Sequence, residues 1–67
     1  MKENAATTEI MSVPQASSYL GVHPNTLYRL IKDGDIPAFR FSRGGRWKFK
    51  RSDLEQWIED KQARSVR

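Results

Sequence analysis

Five residues between positions 25 and 32 are of types that read nucleic-acid bases. Asn25 matches adenine and Arg29 matches guanine through paired hydrogen bonds, and Thr26 suits a thymine methyl or a phosphate. Tyr28 and Lys32 complete the outward set. A second group, Arg40, Arg43, Arg46, Lys48 and Lys50, alternates with aromatic residues on either side of Arg43-Gly44-Gly45. Such side chains suit a phosphate backbone, and an Arg at a glycine-containing tip can reach into a minor groove. Bond-making chemistry has no comparable set. His23 is the lone histidine, Asp33 and Asp35 flank a helix-ending Gly34, and there is no cysteine. No serine has a general-base pattern beside it. The expectation is a binding protein, not an enzyme, with no metal and no cofactor.

The charge distribution agrees. The chain carries +4 overall. Between Arg29 and Arg51 there are eight basic residues against two acidic ones, a local +6, and the remainder is slightly acidic. Segregated positive charge on a small chain points to a polyanionic partner. At 67 residues the chain holds one domain, which buries only about 60% of its unfolded surface. Architectures built around a deep, walled pocket are thereby excluded. Two Trp, three Phe and two Tyr supply the large anchors of a small core. The absence of cysteine excludes a disulfide scaffold. No apolar run approaches the roughly 18 residues of a membrane span, and the N-terminus lacks the apolar region of a signal peptide. The expected location is the cytoplasm.

These groups need elements to hold them. Residues 1–10 are polar or small, without periodicity, and read as a flexible tail; 63–67 read as a flexible C-terminus; the domain is 11–62. Ser12-Val13-Pro14-Gln15 is a capping box with Pro14 in the first helical turn. Val13, Ala16 and Leu20, with Ser17 as a small partner, share one face, and Gly21 ends the helix. After His23, in a turn or capping role, Pro24 opens a second helix whose apolar stripe is Leu27, Leu30 and Ile31, closed by Gly34. Two helices joined this tightly form a helix-turn-helix, although an ordinary helical hairpin with a polar face would use the same residues. Residues 38–42 and 46–50 alternate with period two and predict a hairpin. A three-residue loop pairs Arg40 with Lys48 and Phe39 with Phe49. It collects Phe39, Phe41, Trp47 and Phe49 on one face and sends Arg40, Arg46, Lys48 and Lys50 to the other. The basic side could equally be a sheet edge protected by its charges. Ser52-Asp53-Leu54-Glu55 reads as a second capping box, opening a helix with Leu54, Trp57, Ile58 and Lys61 on one face. The fold class is α+β, in the order helix, turn, helix, hairpin, helix.

Taken together, Met11 to Ser17, Leu20-Gly21-Val22, Asn25 to Ile31, Gly34 to Ala38, Arg46 to Phe49 and Ser52 to Trp57 resemble the excisionase family of DNA-binding domains. These are winged helix-turn-helix relatives of the mercury-resistance regulator (MerR) domains. The resemblance covers about residues 11 to 60. It implies that the second helix enters the major groove of double-stranded DNA through Asn25, Thr26, Tyr28 and Arg29. It also implies that the hairpin is a wing whose Arg40, Arg43, Arg46 and Lys48 touch backbone or minor groove. Lys32 is added from its outward position. Family members include recombination directionality factors, which bend DNA and steer an integrase toward excision, and small transcriptional regulators. The implied partners are DNA, an integrase or recombinase, and further copies of the chain on DNA. A protein-interaction module with an acidic partner is the reading from a different class. Pro14 stands where an acidic residue is usual in the family, and Ser42-Arg43-Gly44-Gly45 is a variant of the usual wing turn.

Overall fold

A computed structural model describes residues 9–65. The chain runs β1 (Ile10–Ser12), α1 (Val13–Leu20), α2 (Pro24–Lys32), β2 (Lys48–Lys50) and α3 (Arg51–Ser65). Among the described residues no helix is long and apolar enough to cross a membrane. The fold is the expected small α+β winged helix-turn-helix.

Local rules place the first two helices. The Gln15 backbone N–H donates to the Ser12 hydroxyl at 3.3 Å, and the Ser12 N–H donates to the Gln15 side-chain oxygen at 2.9 Å, so the capping box is complete. Gly21 adopts φ 74, and Ser17 O accepts from the N–H groups of both Gly21 and Val22. That left-handed residue lets the chain reverse within three residues. His23 caps α2, its Nδ1 accepting from Asn25 N at 3.0 Å. At the far end of α2, Asp35 N donates to Leu30 O and Gly34 N to Ile31 O, the paired bonds of a Schellman ending.

Strand β1 was not expected: its first residue, Ile10, belongs to the expected flexible tail, and Met11 and Ser12 open the expected domain. Ile10, Met11 and Ser12 pair antiparallel with Lys50, Phe49 and Lys48. Arg51 N continues the ladder to Glu9 O at 3.0 Å. Residues 1–8 of the expected tail lie outside the described residues. The C-terminal helix also runs further than expected, to Ser65, which leaves only residues 66–67 of the expected flexible C-terminus outside the description. It begins at Arg51, one residue before the predicted cap. Ser52 therefore lies inside the first turn, and the second capping box does not precede the helix.

The core consists of Met11, Val13, Ala16, Leu27, Ile36, Phe49 and Leu54, with Leu20, Leu30, Trp47 and Trp57 packed against it. Ser17 is the buried polar residue, and its hydroxyl donates to Pro14 O at 2.9 Å. Helix α3 contributes Leu54 to this core. It also reaches the α2–wing connection: Trp57 Nε1 donates to Asp35 O, and Lys61 Nζ binds both Asp35 carboxylate oxygens at 2.9 and 3.1 Å.

The wing departs from its predicted register. Phe39 exchanges both backbone hydrogen bonds with Lys48, not with Phe49. The cause is the turn. Gly45 N donates to Ser42 O at 2.9 Å, leaving Arg43 and Gly44 as the central pair, with Gly44 at φ 82. A positive φ at the third turn position is what glycine permits. The loop is one residue shorter than expected, and a one-residue slip turns a strand's side chains over. The four aromatics accordingly do not share a face. Phe49 is fully buried, Trp47 and Phe39 are half-buried, and Phe41 is 78% exposed. Arg40 faces Trp47 instead of Lys48, with its guanidinium 4.4 Å from the ring centroid.

Two substitutions check this arrangement. Leu54→Ala should cost about 2–5 kcal/mol, comparable with the whole stability of a domain this small, and leave the protein largely unfolded. Phe41→Ala should change stability by less than about 0.5 kcal/mol. Burial of Phe41 in an aromatic face would raise that cost to about 3–5 kcal/mol. The thermal melt of Phe41→Ala decides between the two registers.

Candidate nucleic-acid interface

An α-helix advances about 100° per residue. On α2 this sets Asn25, Tyr28, Arg29 and Lys32 within an arc of about 100°, opposite the fully buried Leu27. All four are exposed. Thr26 lies at the edge of that arc, toward Leu30, and is half-buried. Its hydroxyl is thus less available than the polar groups of its neighbours. The other predicted α2 residues share one outward face, as their spacing requires. Asn25 also occupies the first turn, where the helix dipole favours negative charge; the backbone N–H groups there are taken by His23, whose Nδ1 accepts from Asn25 N and whose carbonyl accepts from Thr26 N and Leu27 N.

The wing presents Arg43 at the centre of its turn and Arg46 just after it, both exposed. Lys48 is different. It is the first residue of β2, flanked by Ser12 on one side and Phe39 on the other, and is half-buried. Arg40 is exposed but stacked on Trp47. An aromatic face under a guanidinium restrains it while leaving its N–H groups free along the ring plane.

A groove of about 330 Å³ joins the two groups. Tyr28 of α2 forms one wall, Arg46, Trp47 and Lys48 form the other, and Ser12, Val13 and Pro14 close it. Tyr28 of the helix face and Arg46 and Lys48 of the wing therefore border the same groove. The start of α1 enters that groove because β1 delivers it there. The sequence carries no signal of this beyond the capping box.

The electrostatics divide along the same line. Among the described residues the ion pairs are Arg51–Glu9, Arg51–Glu55 and Lys61–Asp35. Arg51 belongs to the basic stretch by sequence, yet it is engaged by two carboxylates. Its hydrogen bond to Glu9 raises its pKa above an already high ordinary value. Arg29, Lys32, Arg40, Arg43, Arg46 and Lys48 have no carboxylate partner among the described residues. A cation without an internal partner can bind a phosphate without first breaking an ion pair. No group of three or more potential metal-ligating residues occurs among the described residues.

Comparison with known proteins gives one family. A model described as a helix-turn-helix domain matches residues 10–62. No curated protein and no solved structure matches the chain. The matched span takes in β1, both helices of the turn unit, the wing, β2 and most of α3. The paired helices, the left-handed Gly21 between them and the outward polar face of α2 give that match its physical content, and the chain belongs to the helix-turn-helix domain family and binds DNA sequence-specifically.

Proposed function

We propose that α2 lies in the major groove of double-stranded DNA, with Asn25, Thr26, Tyr28, Arg29 and Lys32 toward bases and flanking phosphates. In this reading Arg40, Arg43, Arg46 and Lys48 of the wing engage backbone and minor groove, and no residue has a catalytic role. The observation that carries it is the groove that Tyr28 of the outward α2 face shares with Arg46 and Lys48 of the wing. The helix offers side chains with base-specific geometry, and the wing offers charge for the sequence-independent part of the affinity.

We further propose that the chain acts as an excisionase, a recombination directionality factor that bends DNA and assists an integrase. The resemblance over residues 11 to 60 supports this role. Bending draws on contacts at two places on the duplex, and a helix and a wing held rigidly together can supply them. Protected-site mapping on genomic fragments tests the role. Repeated, closely spaced sites beside a recombinase attachment site are the expected result. A lone promoter site would instead make it a transcriptional regulator. Salt-insensitive binding to an acidic protein, with none to duplex DNA, would remove the DNA reading itself.

Asn25→Ala and Arg29→Ala should each weaken binding to the preferred site by about 1–3 kcal/mol and relax discrimination at one base position. Both are exposed, so thermal melts should match the parent protein. Wild-type affinity in both variants would mean that α2 is not the reader.

Arg43→Ala and Arg46→Ala should behave differently. Each should weaken binding to all duplexes by a similar factor. Each should also flatten the slope of log K against log salt by about 0.9 for every phosphate the side chain neutralises. If Arg43 enters a narrow minor groove instead, its removal should hurt A·T-rich flanks more than G·C-rich ones. Unchanged slopes and unchanged flank preference would take the wing out of the interface.

A further inference from the structure

Phe41 is the most exposed of the large hydrophobic residues in the described chain, at 78%, against 50% for Tyr28. Its ring is not loose. Phe39 meets it edge-to-face, with centroids 5.2 Å apart and planes at 85°. The tight turn at Ser42–Gly45 holds the adjoining backbone. The register that stacks Arg40 on Trp47 is the same register that turns Phe41 outward. A solvent-facing phenyl ring gains from any partner that takes its apolar surface out of water.

The surroundings identify the partner by charge. Phe41 lies within the same short wing as Arg40, Arg43, Arg46, Lys48 and Lys50, with no acidic residue between Ile36 and Ser52. An apolar protein surface would have to bury those cations beside it, and buried unpaired charge is costly. A duplex neutralises the cations with phosphates while its deoxyribose edges offer apolar surface to the ring. We infer that Phe41 makes an apolar contact with deoxyribose in the minor groove, a salt-independent part of an interface whose other wing contacts are ionic. This rests on the DNA-binding reading above and adds to it a residue that carries no charge and no hydrogen-bonding group.

The two kinds of contact are separable because only ionic contacts release counterions. Covering about half of one phenyl ring is worth about tenfold in affinity. The experiment compares wild type, Phe41→Ala, Phe41→Leu and Arg43→Ala. The probe is a duplex of about 30 base pairs, enriched from a random pool by the wild-type protein and titrated across a salt series. Phe41→Ala is expected to bind about tenfold more weakly with the wild-type salt slope and an unchanged melt. Phe41→Leu should recover most of the affinity, because it restores apolar area without aromaticity. Arg43→Ala supplies the contrasting, flattened slope. Wild-type affinity in Phe41→Ala, or a weakening that Phe41→Leu does not relieve, would overturn the inference while leaving DNA binding in place. Failure of the wild-type protein to enrich or bind any duplex would instead overturn the DNA reading and this contact with it.

Discussion

Ser12 is where the structure is joined. It is the last residue of β1, the cap of α1 and the ladder partner of Lys48. Strand and helix share it, so α1 has no linker through which to move relative to the sheet. Helix α1 carries the Gly21 turn and therefore α2. Strand β2 continues backward into the wing. The relation between α2 and the wing thus passes through three residue pairs, with Met11 opposite Phe49 at their centre, both buried. A slip of one residue would turn both side chains out of the core, so the ladder is strongly specified despite its shortness.

The other end of α2 is held by a different device. Asp35, just past the helix, receives the Trp57 indole N–H on its carbonyl and the Lys61 ammonium on its carboxylate. The ammonium and carboxylate are half-exposed, and such an ion pair alone is worth at most about 1 kcal/mol. Its importance is positional. It ties α3 to the junction between α2 and the wing, next to the buried Ile36. Helix α2 is consequently fixed at its start by a glycine turn and at its end by a helix distant in sequence.

The parts governed by neighbouring residues are legible in the sequence. Ser12 with Gln15, Gly21, Pro24 and Gly34 each follow rules that span only a few residues, and each does what its type and spacing imply. The outward face of α2 follows from helical periodicity alone. Strand β1 is not legible because Ile10-Met11-Ser12 is too short to show alternation, and its partner lies far along the chain. The wing register is ambiguous because Gly44 and Gly45 each offer a left-handed position. Keeping the aromatics on one face favours the wrong one. The deciding fact, how much aromatic surface the core can cover, is a property of the assembled domain and not of residues 38–50.

The separation of β1 from β2 also orders events in time. The two helices of the turn unit form from interactions a few residues apart. Phe49 and Leu54, two of the three largest fully buried side chains, come from the later part of the chain. Pairing Met11 with Phe49 closes a loop of about 38 residues, and that closure loses chain entropy before the core compensates for it. A chain emerging during synthesis therefore exposes the apolar faces of α1 and α2 until β2 and the start of α3 arrive. Helix α2 acquires a fixed place relative to the wing only in that final closure.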